Sequence, residues 1–427
     1  MPNRNKVNSQ VQALYVGPSP ALGEHFHFNQ DPTDTTGAVS DVYAEALAQE
    51  AGFGEVTAGV FTDNLVNRTK QLYRIQGASY NTSYARTDIR QLGELAAIDR
   101  PILEPPGVSL SFSYILANFQ NEHNLGFDVN GVENCIINLL NKTADERNFF
   151  LREALEGIDA VGDKSDAGFT HAFGNGFVNS YSSEASVGGL PTVNVGVSAD
   201  NLLFYNVTSG IVSPAIDITD GKVVQYQKVT LPEAESSPGG GASGDLDISV
   251  LRPGDITMTF SQRDACDEAN LANASDAYSE PGVDIDEARI QSYSLSFDIP
   301  RSSIQELGAR YAVSREITPP IPVSLSVEAL LTDLTTGNIT DLVDHDNSYD
   351  VRIDLSNPIS CTNDTRKVIS RYTLKNLKMD SQDYSATLDG LKTVSINFST
   401  QIGGPNESNV GLFLSGVCDE SVDVNFN

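Results

Sequence analysis

Apolar and polar side chains alternate along several segments of the chain, which is the pattern of a β-strand with one buried and one wetted face. The clearest example is the segment VSLSFSY, in which Val108, Leu110 and Phe112 are separated by serines. Strands of this kind are typical of β-sandwiches, whose sheets each turn one face to the core. The predicted inward-facing sets are Ala78, Tyr80, Thr82 and Tyr84; Tyr293, Leu295, Phe297 and Ile299; Val108, Leu110, Phe112 and Tyr114; Val323, Leu325, Val327 and Ala329; Val193, Val195 and Val197; and Val394, Ile396 and Phe398.

The pattern occurs twice. The 43 residues from Arg74 align without a gap with those from Arg289, at an offset of 215, and 17 positions are identical. A second block aligns the segment from His171 with the one from Tyr372, at an offset of 201. Because both blocks occur in the same order, the sequence predicts a tandem duplication. We expect an all-β chain, mainly β with minor helix, with β-sandwich copies at residues 1–230 and 246–427 and a Gly/Ser/Pro-rich linker or loop at residues 231–245.

Two regions depart from the alternation. A short helix is predicted at residues 88–97 and again at residues 303–312, although a glycine in each disfavours it. Residues 144–157 fit a helix, because Thr143 with Glu146 forms a capping box. The second-copy counterpart SYDVRIDL alternates instead, and we favour a strand at residues 148–152.

The net charge of the chain excludes some classes of binding partner. The chain has 57 acidic and 27 basic residues, for a formal net charge of -30. Binding to nucleic acid or anionic lipid depends on Lys and Arg, so neither is expected on the outer surface. The N-terminal residues lack the apolar core of a secretory signal, and no stretch is long and apolar enough to span a membrane. We expect a protein that is made in a cytoplasm and does not contact a membrane.

Few residues offer catalytic chemistry. The sequence contains no GxSxG, Walker, HExxH or GxGxxG motif, so we predict no enzymatic activity and no cofactor. The cysteines are too far apart in sequence for a zinc ribbon or a redox dithiol, and we expect them to be small buried hydrophobes. They are Cys135, Cys266, Cys361 and Cys418.

Two clusters could bind a metal. His25, His27 and Asp31 have suitable side chains, but we favour an exposed N-terminal strand that binds no metal. The aspartates around His345 resemble a calcium loop but lack the spacing of an EF-hand, so we favour a solvated acidic loop over a loosely bound cation. Those aspartates are Asp341, Asp344, Asp346 and Asp350. We predict no defined metal site.

The first-copy segments RIQGASYNTSYARTDIRQLGELAAIDRPILEPPGVSLSFSYIL and GNGFVNSYSSEASVGGLPTVNVGVS resemble the tail tube (major tail) proteins of long-tailed bacteriophages. The resemblance extends over both blocks in each copy. It implies β-sandwiches flanked by a helix that stack as rings, commonly of six subunits, around a hollow tube. For a duplicated chain it implies three chains per ring, with pseudo-hexameric symmetry.

The same resemblance implies a structural protein of the virion tail, made in the cytoplasm of a bacterial host. Its implied partners are further copies of itself and the tape-measure, tail terminator and tail-tip proteins. Double-stranded DNA would pass through the tube without tight binding during ejection. An acidic lumen would repel phosphates, so much of the charge of -30 is expected to face inward.

Six arginines recur between the copies. In so acidic a chain they are candidates for pairs with carboxylates of a neighbouring subunit, or for salt bridges that support each copy. They are Arg74, Arg86, Arg100, Arg289, Arg301 and Arg315.

Two other functions are consistent with the composition. A capsid decoration protein or another tail-associated β-structured protein would form discrete oligomers instead of tubes. An acidic carbohydrate-active β-sandwich would offer paired carboxylates, but such proteins commonly use aromatic platforms, and the chain contains 0 Trp.

Overall fold

A computed structural model describes residues 12–18, 69–103, 106–140, 146–155, 158–162, 167–207, 211–216, 228–229, 231–236, 250–263, 290–307, 311–312, 314–330, 348–357, 368–385, 392–404 and 407–416. These residues form mainly antiparallel β-strands with little helix, which confirms the predicted all-β fold class.

The described residues of the first half form ten strands and two short helices in this order: β1 Gln12–Pro18, β2 Lys70–Leu72, β3 Ile75–Ser83, β4 Gly107–Ile115, α1 Gln120–Leu125, α2 Ile137–Leu140, β5 Arg147–Glu153, β6 Ala167–Ser186, β7 Thr192–Ala199, β8 Asn201–Val207, β9 Ile211–Val212 and β10 Lys228–Val229. A 3-10 turn at Pro253–Asp255 precedes the strands of the second half. These are β11 Ile256–Arg263, β12 Ile290–Asp298, β13 Arg301–Ile304, β14 Ser314–Ile317, β15 Ile321–Leu330, β16 Ser348–Ser356, β17 Val368–Ser385, β18 Thr393–Ile402 and β19 Gly411–Gly416.

One sheet runs through both halves. Its antiparallel strands are hydrogen-bonded in the order β3, β4, β7, β6, β12, β15, β18 and β17, and we call it the shared sheet. The first outer sheet has the order β2, β1, β5, β6 and β8, and the second has the order β11, β16, β17 and β19. The long strands β6 and β17 therefore each belong to an outer sheet first and to the shared sheet afterwards.

Each long strand bends at an asparagine with left-handed backbone geometry, at Asn175 (φ 53°) and at Asn376 (φ 57°). Asparagine tolerates this conformation better than other side chains do. The backbone N–H of Asn175 donates to Asn148 Oδ1 (3.2 Å), and that of Asn376 donates to Asp350 Oδ1 (2.8 Å). The same local device thus turns the chain between sheets in both halves.

Strand register also repeats. Ala78 of β3 lies opposite Phe112 of β4, and Tyr293, which is 215 residues further on, lies opposite Val327. The β6–β7 and β17–β18 pairs have a register shift at equivalent places, after Val178 and after Met379 in the first strand of each pair. The repeated register supports the predicted tandem duplication, while the domain boundaries stay a prediction.

The main core lies between the shared sheet and the two outer sheets and is continuous across both halves. In the first half Phe112 packs on Phe149 (6.3 Å between ring centroids), and in the second Phe260 packs on Phe398 (5.9 Å). The predicted inward-facing residues of β4, β7, β12, β15 and β18 are buried, which confirms their alternation. Those of β3 are not: Tyr80 and Tyr84 are exposed.

A smaller cluster covers the opposite face of the first outer sheet. Tyr15 and Phe150 contribute from the sheet, and Leu231 and Ala234 pack on it from the predicted linker. The backbone N–H of Glu235 donates to the Gln71 side chain (2.7 Å). The segment from Leu231 therefore begins as part of the first half, and residues 237–249 lie outside the described residues.

The predicted helices at 88–97 and 303–312 are wrong in the described residues. Residues 86–102 form an irregular hairpin with bridges Arg86–Ile102 and Ile89–Asp99, and the second-half counterpart is the β13–β14 hairpin. Gly93 takes a left-handed turn (φ 95°), and Leu92 is fully exposed, so a helix here would have no apolar face to bury. The preference for a strand at residues 148–152 is confirmed by β5.

Substitution of Leu325 tests which face of the shared sheet packs on the core. This residue is fully buried between Leu295 and Phe398 on the neighbouring strands. We expect Leu325→Ala to lower the free energy of unfolding by about 3 kcal/mol, because it removes buried methyl groups and leaves a cavity. Denaturant unfolding followed by circular dichroism measures this. The control is Ser324→Ala on the wetted face, expected to change stability by less than about 0.5 kcal/mol; equal losses would contradict the assignment of faces.

Candidate functional site

The two halves meet where β6 pairs with β12. Tyr181 lies opposite Phe297 with their rings stacked at 5.3 Å, and Ser183 lies opposite Leu295. We call this pairing the inner joint. It connects the last shared-sheet strand of the first half to the first shared-sheet strand of the second half.

The outermost strands of the shared sheet are the counterparts of the two strands in the inner joint. By the offsets of 215 and 201, β3 corresponds to β12 and β17 corresponds to β6. Tyr80 of β3 is 38% exposed, whereas its counterpart Leu295 is 0% exposed. Tyr384 of β17 is 60% exposed, whereas its counterpart Ser183 is 0% exposed. Each edge thus exposes the positions that the inner joint buries.

The wetted face of the shared sheet is rich in hydroxyl and amide groups. A shallow groove of about 440 Å³ crosses it at the inner joint, lined by Glu184, Ser292, Glu328 and other residues. The strands direct these side chains to this face: Ser79, Asn81, Ser83, Ser109, Ser111, Ser113, Thr192, Asn194, Ser198, Ser180, Ser182, Glu184, Ser186, Ser292, Ser294, Ser296, Asp298, Ser324, Ser326, Glu328, Ser395, Asn397, Ser399, Ser381, Asp383 and Ser385. Acids occur in this set, and Lys378, which lies opposite Ser399, adds an exposed base on the same face.

The β13–β14 hairpin of the second half packs on the first half at one end of this face. The guanidinium groups of Arg301 and Arg315 lie over the ring of Phe177, at 5.1 and 5.4 Å from its centroid. Arg301 also donates to the carbonyl oxygen of Val178 (3.3 Å). Cations over an aromatic face are attracted by the ring quadrupole, so the hairpin fastens the inner joint.

Arg315 adds an ion pair to the joint. It donates to the carboxylate of Asp200 and to Ser198 Oγ (2.9 Å). The pair is largely buried, with the side chains of Arg315 and Asp200 18% and 8% exposed. Burial raises the pKa of Asp200, and the adjacent guanidinium opposes that rise. These two arginines therefore contact the other half of the chain.

The counterparts in the first half lie within their own hairpin. Arg86 donates to the carbonyl oxygen of Arg100 (3.1 Å), and Arg100 pairs with Asp88 (2.6 Å) at the surface. Arg74 has left-handed geometry just before β3, and its carbonyl oxygen accepts from the N–H of Ile115 (3.2 Å). Arg289 lies outside the described residues. Whether any of these arginines pairs with another subunit stays a prediction.

A buried polar network crosses the middle of the molecule. Tyr114 and Tyr181 both donate to Glu122 Oε1, at 2.8 and 3.0 Å. Because the Tyr181 proton goes to Glu122, Tyr372 of the second half donates to the Tyr181 hydroxyl oxygen (2.8 Å). The Ser183 hydroxyl lies 3.3 Å from that of Tyr372. The network thus joins α1, the shared sheet and the second outer sheet.

Glu122 is the carboxylic acid of this network, and its pKa is shifted. Burial raises its pKa from 4.5 to about 7, against the hydrogen bonds from the two tyrosines, which lower it. Its Oε2 atom is buried with no hydrogen-bond partner among the described residues, which suits a protonated acid. Ionisation of Glu122 would bury a negative charge that the two tyrosine hydrogen bonds and the charge of Arg74 offset only in part.

The other candidate residues do not form a site in the described residues. Cys135 is buried, as expected, whereas the other three cysteines, the His25 cluster and most of the His345 loop are outside them. Asp350 is described and accepts the backbone hydrogen bond at the β17 bend. Within the described residues, acids, histidines and cysteines form no group that could hold a metal. In the same part of the chain, helices are too short to cross a membrane.

Sequence reasoning missed the residues that receive the hairpin arginines and the carboxyl of the buried network. Phe177 belongs to the second repeat block and Asp200 lies two residues beyond its end, but their counterparts Lys378 and Gln401 differ in chemistry, so sequence identity did not mark them. Glu122 lies in a short helix that was not predicted.

No protein-family model matches the chain, and the comparison with curated proteins found no match. Among solved structures, the fold is similar to a chain of the anti-feeding prophage baseplate, with 13% identity over 38% of this chain and 93% of that chain and a TM-score of 0.26. A chain from the tail of an empty gene transfer agent particle is 12% identical over 39% of this chain and 99% of that chain (TM-score 0.24). An Hcp protein is 9% identical over 38% and 99% (TM-score 0.20). These values are too low to assign a family.

Arg315 and Arg100 occupy equivalent positions in the two hairpins, but only Arg315 pairs across the inner joint. We expect Arg315→Ala to lower the free energy of unfolding by about 3 kcal/mol, because it leaves Asp200 buried without its partner. Arg100→Ala breaks a surface pair and is the matched control, expected to cost less than about 1 kcal/mol. Denaturant unfolding compares the two, and equal losses would show that the inner joint does not depend on Arg315.

Glu122 makes stability depend on pH. Its pKa is higher in the folded than in the unfolded state, so its contribution to stability is fully present below pH 4.5 and is lost as the pH rises through about 7. We expect Glu122→Gln to remove this loss, so that the stability of the variant relative to the parent rises by on the order of 3 kcal/mol between pH 4.5 and 7.5. Denaturant unfolding curves at several pH values in this range test the prediction. Burial also raises the pKa of Asp128, but this residue is present in both proteins, so its effect cancels in the difference between their stabilities. A difference independent of pH would contradict the assignment.

Proposed function

We propose that this protein is a structural subunit that assembles head to tail, with β17 of one chain pairing with β3 of the next. The observation that carries the proposal is the inner joint: it already joins the counterpart of β17 to the counterpart of β3 within one chain. The exposed tyrosines at both edges are the residues that such pairing would cover. We call this proposed contact the outer joint.

Head-to-tail contacts between two different surfaces close into rings when the rotation per subunit divides a full turn. An outer joint with the geometry of the inner joint would repeat the same rotation twice per chain. Three duplicated chains would then form a ring with six similar units, as the resemblance to tail tube proteins implies. Closure also removes the open edges of the shared sheet, which would otherwise invite unspecific pairing.

The inner joint fixes the register expected at the outer joint. Transfer of its pairs by the two offsets leaves the wetted-face residues of β3 and β17 opposite one another, and the core-facing residues likewise. The expected pairs are Ser79 with Ser385, Tyr80 with Tyr384, Asn81 with Asp383, Thr82 with Gln382 and Ser83 with Ser381.

In such a ring the wetted face of the shared sheet would line the lumen. Its serines, threonines and asparagines are neutral, and its acids repel phosphate and outnumber the exposed Lys378 on the same face. These acids are Glu184, Asp298, Glu328 and Asp383. The proposed lumen is therefore a mainly neutral, mildly acidic surface instead of the densely acidic one that the net charge suggested. Double-stranded DNA would pass without tight binding, since that binding needs Lys and Arg.

Stacking of rings into a tail tube is supported by the hairpins. Leu92 and Leu307 stand at equivalent positions of the two hairpins, and both are fully exposed. In a three-chain ring they would form six apolar contacts on one side, suited to the next ring. We propose a non-enzymatic role in the virion tail on this basis, with tape-measure, terminator and tail-tip proteins as partners by resemblance. A capsid decoration protein would form the same ring without stacking.

Cysteine cross-linking tests the outer joint. With Asn81→Cys and Asp383→Cys in one chain, we expect mild oxidation to give dimers and trimers, because the two positions face each other between chains. The two cysteines lie at opposite ends of one shared sheet and cannot reach each other within a chain. Non-reducing electrophoresis with mass spectrometry of the linked peptides identifies the products.

The matched control combines Asn81→Cys with Gln382→Cys, which places the second cysteine on the opposite face of β17. Wild type and the single variants control for the native cysteines. Oligomers that form without the Asn81–Asp383 link, or with equal linking in the control, would contradict the proposed pairing.

A further inference from the structure

We propose that the outer joint is the weaker of the two joints, because Lys378 and Gln401 occupy the places in which Phe177 and Asp200 receive the hairpin arginines at the inner joint. This inference rests on the proposed function, since it concerns the contact between successive chains. Its partner is a second copy of this chain.

The positions correspond through strand register. Phe177 lies opposite Ser198 in the β6–β7 pair, and Lys378 lies opposite Ser399 in the β17–β18 pair. Asp200 directly follows Ala199, which lies opposite Val108, and Gln401 directly follows Thr400, which is opposite Val323. The hairpin that would meet Lys378 and Gln401 is the one at residues 86–102 of the next chain, which carries Arg86 and Arg100.

Two attractions of the inner joint would be missing. At the inner joint Arg301 and Arg315 both lie over the ring of Phe177. At the outer joint the same place holds the ammonium group of Lys378, which repels a guanidinium instead of attracting it. Gln401 can accept a hydrogen bond where Asp200 accepts a charge-assisted one, so the ion pair is lost as well.

Other contacts would be kept. Ser399 stands where Ser198 accepts a hydrogen bond from Arg315, and the backbone carbonyl of Met379 stands where Val178 accepts from Arg301. Arg100 has its own partner in Asp88, whereas the position equivalent to Asp88 in the second hairpin is Ser303. The first hairpin is thus electrostatically satisfied in the free chain, and docking gains little charge pairing.

The consequence is a hierarchy of contacts. The inner joint holds the two halves together in every chain, while the outer joint forms and separates with concentration. Free chains would persist at low concentration instead of closing rings at once, which suits a subunit that is added to a growing assembly.

The test introduces the residues that receive the arginines at the inner joint into the equivalent positions of the outer joint. The double variant Lys378→Phe with Gln401→Asp restores the ring and the carboxylate, and both positions are exposed in the free chain, so folding is not expected to change. Sedimentation velocity over a concentration series gives the concentration at which half of the chains are assembled. We expect this concentration to fall at least about tenfold in the double variant. Lys378→Gln removes only the like charge and is expected to give a smaller fall.

Lys70→Phe controls for an added aromatic ring, because it places the same ring at an exposed position of β2, in the first outer sheet, and is expected to leave assembly unchanged. If the Asn81–Asp383 cross-link forms but the double variant assembles at the same or a higher concentration than wild type, the inference is wrong and the proposed function stands. If the cross-link does not form in any oligomer, the proposed function falls and this inference with it.

Discussion

The structure depends on the edge-to-edge pairing of β6 with β12. A strand at a sheet edge leaves backbone donors and acceptors without partners, and pairing with another strand satisfies them over the whole length of the contact. Here that pairing merges two similar halves into one shared sheet with a continuous core beneath it. The same halves leave β3 and β17 as the outer edges, so the interaction that completes the chain is also available for joining chains.

The net negative charge of the chain limits which contacts can hold two chains together. A net charge of -30 makes chains repel each other, so association has to rest on backbone pairing, apolar burial and local cation contacts. The inner joint has all three, with Phe177 and Asp200 receiving arginines and Glu122 closing a buried network nearby. Away from the joints, the wetted face of the shared sheet carries mainly hydroxyl and amide groups and a few acids.

The sequence predicted the strands well where the two copies share alternation, because burial of every second side chain is a local pattern. Val323, Leu325 and Val327 are buried as expected. The same rule failed for Tyr80, which has the pattern of a core residue but lies on an edge strand; alternation does not report what covers a strand. The helix prediction at residues 88–97 failed because its apolar residues, such as Leu92, face solvent in a hairpin instead of a core.

Sequence reasoning identified the six recurring arginines, but it could not separate their settings. Arg315 and Arg100 occupy the same position of the repeat alignment, yet Arg315 pairs with Asp200 across the inner joint. Arg100 pairs with Asp88 in its own hairpin. The difference arises because the inner joint places the second-half hairpin against the first half, and a sequence alignment does not show this contact. Glu122 was missed for a similar reason: its partners Tyr114 and Tyr181 lie on separate strands, and only the fold brings them together.

Electron microscopy of the concentrated, purified chain tests the central claim most directly, because it shows how one copy meets the next. The account predicts rings of three chains with six similar units around a central opening, in which β17 of each chain continues into β3 of its neighbour. Two-fold dimers, or rings in which both of these edges face solvent, would contradict it.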